Sequence, residues 1–329
     1  VYARWEEMAE REAALPEGER IDFVAIVTPN HLHYPVARAF VERGFHVVCD
    51  KPLTTTLEDA EALCRLVEER GVVFAVTHNY TGYPMVKEAR ALVRRGRLGE
   101  IRKVVVEYSQ GWLATLVEAT GSKQADWRTD PARAGAGAIG DIGTHAENLA
   151  RYVTGLEMER LLADVSTFVE GRRIDDDANM LVHYRGGAKG ILCCSQISVG
   201  EENRLGIRVY GTEASLEWLQ EEPNFLYVRR NDGPTEVYKP GHAYLSPEAR
   251  HAARIPAGHP EAFFEAFANV YSYALRTMAA RIAGEEPDPL DLDFPGVQDG
   301  AVGVHFIHTA LRSGREGDWV DAAYTAPGA

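Results

Sequence analysis

The chain has 329 residues, 45% of them hydrophobic and 26% charged, which is the composition of a folded globular protein long enough for two domains. Its formal net charge of −14 at pH 7 argues against nucleic acids and anionic membranes as partners, because both require a concentrated basic surface. No apolar run reaches the roughly 18 residues of a membrane span, and the charged first residues do not resemble a signal peptide, so a cytoplasmic protein is predicted.

Three short apolar segments in the first part of the chain predict buried parallel strands. They span 21–29, 45–52 and 72–79 and are rich in Val, Ile and Phe. Parallel strands covered on both faces show this nearly continuous hydrophobicity. The segments between them have helical patterns that end at glycines, and Thr56 stands where a helix N-cap is expected. The pattern predicts a doubly wound parallel sheet.

After a predicted helix at 83–96 the pattern changes to several strand-like runs. The pairs Gly186–Gly187 and Gly211–Thr212 lie where hairpin turns are expected, so the second sheet is predicted to be mostly antiparallel. The acidic run "DDD" (175–177) is interpreted as a solvated turn between strands. We therefore predict an α/β protein with a partial Rossmann domain over 1–100. An α+β domain with an open, mostly antiparallel sheet follows over 101–329.

Two apolar patterns in the second domain predict packing. From Pro260 onward, hydrophobic residues that include Phe264 recur at three and four residues, as on the core-facing side of one long helix. The outward strand positions are assigned to Val182, Tyr184 and Ile191. Because large apolar patches seldom stay exposed, we expect the open sheet to form a homo-oligomer interface.

Polar residues follow the first two predicted strands, at the edge where parallel sheets leave a crevice for ligands. "TPNHLH" (28–33) follows the first strand and "DKPLTTT" (50–56) follows the second. The proline fixes an extended turn that projects Lys51 toward the crevice. The alternative is that Lys51 is a solvated loop lysine. The same two interpretations, a crevice residue or an ordinary loop residue, apply to Thr28, Asn30 and His33.

The segment "GAIGDIGTH" (137–145) places Asp141 and His145 four residues apart. On a helix beginning near Asp141, this spacing puts both side chains on one face, so the carboxylate can reach the imidazole and fix its tautomer. A helix-capping aspartate with an incidental histidine is the alternative. "GAGAIG" (135–140) matches a nucleotide-binding fingerprint literally, but no strand precedes it, and we interpret it as a chance match.

"TPNHLH", "CDKP" and "GAIGDIGTHAENL", in this order, resemble the family of glucose-fructose oxidoreductase, inositol dehydrogenase and MocA. Its members are nicotinamide-dependent enzymes that act on sugars and cyclitols. The resemblance implies a catalytic set of Lys51, Asp141 and His145, with Asp50 where the family has glutamate. It also implies that the phosphate-binding strand and glycine turn precede residue 1, so an amino-terminally truncated chain is expected.

The resemblance implies bound NAD or NADP and two further groups of contact residues. Cofactor contacts are expected from Thr28, Pro29, Asn30, His33, Asp50, Lys51, Pro52 and Asn79. Substrate contacts are expected from Tyr80, Trp112, Lys123, Trp127, Arg128 and His259, which supply the donors and flat apolar faces that sugar recognition uses. Each of these six is also an ordinary core or rim residue. Neither the histidines nor the four cysteines show metal-ligand spacing, and no metal is predicted.

These inferences predict an NAD(P)-dependent oxidoreductase that transfers a hydride between a secondary alcohol of a sugar or cyclitol and the cofactor. His145 would take the hydroxyl proton while the Lys51 ammonium stabilises the developing alkoxide, or the two would act as one proton relay. Three alternatives stay open. They are an NAD-dependent glycosidase of the same family, a regulator that binds nucleotide or sugar, and an inactive paralogue.

Overall fold

A small parallel sheet forms the first part of the protein, for which the computed structural model describes residues 1–329. Its strands lie in the order β1, β2, β3 and are parallel, as the apolar segments predicted. The strands of this sheet are β1 (Phe23–Ile26), β2 (His46–Cys49) and β3 (Phe74–Val76). The helices that accompany them are α1 (Trp5–Ala13), α2 (His33–Val41) and α3 (Leu57–Arg70).

The limits of α3 follow from its sequence. The Thr56 hydroxyl accepts a hydrogen bond from the Asp59 amide, which satisfies one of the free N–H groups of the first turn. Gly71 ends the helix in the left-handed conformation, at φ 62°. Between these ends, Ala60, Leu63, Cys64 and Val67 recur at helical spacing and are all buried. The helix therefore packs one apolar stripe on the core of the first sheet.

A nine-stranded sheet forms the second part, in the order β11, β10, β9, β8, β4, β7, β6, β5, β12. All neighbours are antiparallel except β4 and β7. Both predicted hairpins are present, since β6 pairs with β7 and β8 pairs with β9. The strands are β4 (Ile101–Ser109), β5 (Met158–Ser166), β6 (Asp177–Tyr184), β7 (Lys189–Ser195), β8 (Arg204–Gly211), β9 (Ser215–Leu219), β10 (Leu226–Arg229), β11 (Glu236–Tyr238) and β12 (Val320–Asp321).

Helices cover one face of this sheet. A π-helical turn at Ile139–Gly143 runs directly into the helix that carries His145. None of the helices is both long enough and apolar enough to span a membrane. They are α4 (Pro84–Arg94), α5 (Lys123–Arg128), α6 (Pro131–Ala134), α7 (Thr144–Thr154), α8 (Pro247–Ala252), α9 (Phe263–Ala283) and α10 (Val297–Glu316).

The two hydrophobic cores include helices from both parts of the chain. Met85 and Val86 of α4 belong to the large core under the nine-stranded sheet, although α4 directly follows the first sheet in the chain. Val297 and Val304 of α10 belong to the core of the first sheet, whereas Phe306 of the same helix belongs to the large core. The division of the chain at residue 100 stays a prediction about domains, and it does not separate these two cores.

Two local expectations are wrong. Phe264 is 84% exposed, because the core-facing stripe of α9 runs through Ala266 and Val270 instead. The acidic run at 175–177 was expected to be a solvated turn, but Asp175 and Asp176 are buried. Both carboxylates accept hydrogen bonds from backbone amides of neighbouring segments, which is how a buried charge becomes tolerable.

The outward face of the sheet carries Ile191, as predicted, but neither Val182 nor Tyr184. Val182 and Tyr184 are buried in the core, with 1% and 2% exposure. Their neighbour Leu181 is 47% exposed and Ile191 is 37% exposed. Successive side chains of a strand point to opposite faces of the sheet. A prediction that is off by one residue therefore assigns the inner face of β6 to the outside. The apolar outer patch is thus centred on Leu181 and Ile191.

We predict that this outer face joins copies of the chain. The double variant Leu181→Lys/Ile191→Lys should weaken self-association at least tenfold, or roughly 1.4 kcal/mol, because lysines on the patch resist burial. Analytical ultracentrifugation at micromolar concentrations measures this. The control is Ile282→Lys, which changes an exposed apolar residue on α9. A monomeric wild-type chain, or equal association of all three proteins, would contradict the prediction.

Candidate active site

A cavity of about 670 Å³ lies where the carboxyl ends of β2 and β3 face the amino-terminal end of α7. It meets the expectation that ligands bind beyond the carboxyl ends of parallel strands. Lys51, Asp141 and His145 all line it, although they come from two distant parts of the chain. The other lining residues are Asp50, Thr77, Asn79, Tyr80, Tyr108, Gln110, Trp112, Gln124, Arg128, Ile142, Asn203, Gln220, Phe263 and Phe267.

Lys51 and Asp141 form an ion pair across the cavity. The Lys51 ammonium donates to the Asp141 Oδ1 atom over 2.8 Å and also to the Asp141 backbone carbonyl. Gln196 donates to the other carboxylate oxygen over 2.8 Å, and Arg128 lies 3.7 Å from it. The Asp141 carboxylate is therefore saturated by donors that do not include His145.

The predicted contact between the Asp141 carboxylate and the His145 imidazole is absent. His145 instead packs edge-on against Tyr80, with ring centroids 4.8 Å apart, and its Nδ1 atom is buried with no protein hydrogen-bond partner. Helical spacing brings the two side chains to one side, but an ammonium attracts the carboxylate more strongly than a neutral imidazole does. The pair that forms is Asp141 with Lys51.

The protonation of these groups follows from burial and charge. Burial raises the pKa of the Asp141 carboxyl, but the Lys51 ammonium and the Arg128 guanidinium lower this pKa by more, and the net shift is downward. Burial, the Lys51 ammonium and the neighbouring His78 together hold the pKa of His145 well below its usual value. At neutral pH the site therefore contains a carboxylate and a neutral imidazole beside the Lys51 side chain.

A second imidazole lies behind His145. His78, at the end of β3, is 1% exposed, and its ring is edge-on to that of His145 with centroids 5.4 Å apart. Neither ring nitrogen of His78 has a protein hydrogen-bond partner. Burial lowers the pKa of His78 to about 3, so this ring is neutral wherever the protein functions near neutral pH.

The turn that carries Asp141 is anchored by Asp175. Its carboxylate accepts hydrogen bonds from the amides of Gly137 and Ile139, over 2.7 and 2.8 Å. A Cβ atom on Gly137 would collide with the Asp175 carbonyl oxygen, so this glycine permits a close backbone approach. The glycines thus pack against other parts of the protein. Helix α6 precedes them, whereas a nucleotide-binding loop requires a preceding strand.

Two of the residues that are expected to contact the cofactor also form hydrogen bonds between loops. The ring nitrogens of His33 lie 2.8 Å from the Pro52 carbonyl and 2.9 Å from the Thr28 carbonyl, linking the loops after β1 and β2. The Asn30 amide donates to the Ala134 carbonyl over 2.9 Å, which connects the first sheet to the segment before Asp141. The side chains of His33 and Asn30 are therefore occupied by the protein.

Other groups at these strand ends have unused hydrogen-bonding atoms. The Thr28 hydroxyl and the Asn79 side-chain nitrogen are buried and have no protein partner. Asp50 accepts a 2.6 Å hydrogen bond from the Thr77 hydroxyl, and both residues line the cavity. Unpaired buried polar atoms are costly, so this edge of the sheet suits a polar ligand such as the amide-bearing ring of a nicotinamide cofactor.

The structure separates the six expected substrate residues into two groups. Tyr80, Trp112 and Arg128 line the cavity, and the Arg128 guanidinium stacks over the Trp127 ring at 4.2 Å. The residues outside the lining are Lys123, Trp127 and His259. Lys123 is exposed on a short helix, and His259 is exposed in a loop. Neither sequence segment has an apolar pattern from which the direction of these side chains follows.

A polar network that the sequence did not reveal forms one wall. The Tyr80 hydroxyl forms a hydrogen bond with that of Tyr108. The side-chain Oδ1 atom of Asn203 accepts hydrogen bonds from Tyr108 over 2.7 Å and from Gln110 over 2.8 Å. Trp112 donates to Gln110 over 3.0 Å. Tyr108 and Gln110 lie at the end of β4 and Asn203 just before its neighbour β8, and only this strand pairing brings them together.

Two family models match the chain. Residues 2–78 match the model of an oxidoreductase family with an NAD-binding Rossmann fold, and residues 86–217 match the GFO/IDH/MocA C-terminal domain. The chain belongs to the Gfo/Idh/MocA family of oxidoreductases. The NAD-binding match begins at residue 2, and it gives the expected amino-terminal truncation no clear support.

Three relatives illustrate the similarity. The uncharacterized oxidoreductase YfiI of Bacillus subtilis is 32% identical, over 97% of this chain and 82% of that protein. An inositol dehydrogenase homolog from Azotobacter vinelandii, crystallised with NAD⁺, is 36% identical with a TM-score of 0.91, over 97% of this chain and 82% of that one. Levoglucosan dehydrogenase of Pseudarthrobacter phenanthrenivorans is 31% identical over 63% of this chain and 58% of that protein.

The buried His78 predicts a pH dependence of stability. Because its folded pKa is lowered, the unfolded chain binds one more proton than the folded chain between the ordinary histidine pKa and about 3, and stability is lost as the pH falls through this range. His78→Gln should reduce the slope of unfolding free energy against pH by about 1.4 kcal/mol per pH unit there. Urea denaturation from pH 7 to pH 4 measures it. His31→Gln, at an exposed position, should keep the wild-type slope, and equal slopes for all three would contradict the prediction.

Proposed function

We propose that this NAD(P)-dependent oxidoreductase oxidises a secondary alcohol of an uncharged sugar or cyclitol and catalyses the reverse reduction. The single observation that carries the proposal is the placement of Lys51 and His145 in one cavity at the carboxyl ends of the first sheet. The two side chains supply a cationic donor and a neutral proton acceptor, which are the groups that alcohol oxidation needs.

The residues at the strand ends fit a nicotinamide cofactor. Thr28 and Asn79 each offer a buried polar atom without a protein partner, and Asp50 lies beside them at the end of β2. When bound, the cofactor accepts the hydride equivalent that leaves the alcohol carbon. The support for a nicotinamide ring at this position comes from these unused donors together with the family of the chain.

His145 is proposed to accept the hydroxyl proton. Only Nδ1 of its ring is fully buried, so Nε2 is the nitrogen on the cavity side, and the lowered pKa of His145 keeps the ring unprotonated at neutral pH. The Lys51 ammonium would stabilise the negative charge that develops on the alcohol oxygen. Asp141 holds the ammonium in place through its carboxylate and its backbone carbonyl.

The charge balance of the cavity supports an uncharged substrate. The lining contains two acidic groups, Asp50 and Asp141, and two basic groups, Lys51 and Arg128, and Asp141 lies next to both basic groups. A phosphorylated substrate would need free cations, and Lys123, an expected substrate contact, is exposed outside the cavity. Amide and hydroxyl groups beside Trp112 and Phe263 suit a polyol with an apolar face.

His145→Ala should lower kcat by about 10²–10⁴, because general acid–base catalysis contributes on that scale, while the affinity for NAD(P) stays nearly unchanged. Steady-state kinetics with a panel of sugars and inositols, together with calorimetry for the cofactor, measures both quantities. His259→Ala is the matched control, since this exposed histidine lies outside the cavity. A loss of less than threefold in His145→Ala would refute the proton-acceptor role.

Lys51→Met should reduce kcat on the same scale, and its effect should be strongly non-additive with that of His145→Ala because both groups serve one proton transfer. Lys123→Met is the control for removing an exposed lysine. Additive losses in the double variant would indicate separate roles. Release of an aglycone from a glycoside without net reduction of NAD⁺ would favour the glycosidase alternative over the dehydrogenase.

A further inference from the structure

His145 needs a partner that Asp141 does not provide. For Nε2 to accept a proton from the cavity, the single proton of the neutral ring must reside on Nδ1. That nitrogen is buried without a protein hydrogen-bond partner. Buried N–H groups are almost always paired, and an unpaired one would favour moving the proton to the accessible Nε2, where it would block catalysis.

Three more buried polar atoms without protein partners lie near His145. Both nitrogens of His78 and the hydroxyl of Thr144 are buried and have no protein partner. The His78 and His145 rings are 5.4 Å apart between centroids and share no direct hydrogen bond. A group of buried, mutually close donors and acceptors of this kind is the usual setting of an internal water molecule, which needs two to four polar partners.

Gly303 of α10 lets the Thr144 hydroxyl pack closely against the helix backbone. A Cβ atom on this glycine would lie 2.8 Å from the Thr144 hydroxyl and 3.8 Å from Nε2 of His78. The hydroxyl and the imidazole therefore face the same point on the α10 backbone. A larger residue at 303 would displace the Thr144 hydroxyl and touch the His78 imidazole without removing either group.

We propose that His78 is a positioning residue that, with the Thr144 hydroxyl, holds a buried water as the acceptor for Nδ1–H of His145. This inference rests on the proposed role of His145 as proton acceptor. The water-linked imidazole fixes the His145 tautomer, a task for which the sequence suggested Asp141. Asp141 is thereby free to hold Lys51.

A neutral partner suits this site better than a carboxylate would. The charged groups that act on His78 are Asp299 of α10, Arg151 of α7 and Lys51 beyond β2, and burial keeps the ring neutral. A carboxylate at this position would stabilise the imidazolium form of His145 and raise its pKa. A neutral acceptor orients the ring and leaves its low pKa in place, so the base stays unprotonated beside the Lys51 ammonium.

Nuclear magnetic resonance of the full chain labelled with ¹⁵N-histidine tests the tautomer directly. The His145 signals, assigned by their loss in His145→Gln, should show the Nδ1–H tautomer in the wild-type protein. In His78→Phe, which keeps a ring of similar shape but removes both nitrogens, the spectrum should shift toward the Nε2–H tautomer. His78→Gln, whose amide oxygen can accept a hydrogen bond, should restore Nδ1–H. An Nε2–H tautomer in the wild-type protein would overturn the inference, even if His78→Phe does not fold.

Kinetics provides the second measurement. His78→Phe should lower kcat about tenfold with KM nearly unchanged, and His78→Gln should recover most of the loss, because only the proton acceptor is affected. Equal losses in both variants would indicate a packing role and contradict the inference. If the wild-type enzyme oxidises no sugar or cyclitol, the proposed function fails, whereas the tautomer measurement still decides the role of His78.

Discussion

The ion pair between Lys51 and Asp141 is the interaction on which the cleft depends. It joins the residue after β2 to the turn before α7, and both side chains are largely buried, with 17% and 20% exposure. Removing one partner of a buried pair leaves an uncompensated charge, which costs roughly 3–5 kcal/mol. The same contact therefore links the two parts of the protein and holds the ammonium where negative charge develops during the proposed reaction.

Separate groups around this ion pair position the Asp141 turn, the Asp141 carboxylate and the His145 ring. Asp175 anchors the turn that carries Asp141, and Asn30 ties the first sheet to the segment just before that turn. Gln196 occupies the second carboxylate oxygen. His145 packs against the rings of Tyr80 and His78. The carboxylate therefore pairs with the lysine, and neutral rings contact the imidazole. This division allows a cation and an unprotonated base to remain neighbours.

Local sequence patterns predicted the elements well where the physical requirement is itself local. Continuous apolar runs mark strands covered on both faces, and Thr56 and Gly71 bound α3 because capping involves only nearby residues. The prediction failed where a shift of one residue matters: Val182 was assigned to the outer face of the sheet, but Leu181 occupies that face. It also failed for Asp175, whose buried carboxylate is stabilised by amides 36 and 38 residues away.

Sequence patterns predicted the two sheets, and the family motifs grouped Lys51, Asp141 and His145 into one set, whose members all line one cavity. Which of the three residues pair with each other depends on the tertiary structure. A spacing of four residues places two side chains on one side of a helix, but it does not say what else approaches them. The Asp141 carboxylate pairs with the Lys51 ammonium, 2.8 Å away, because opposite charges attract more strongly than a carboxylate and a neutral imidazole. The packing of the two sheets brings this ammonium within reach.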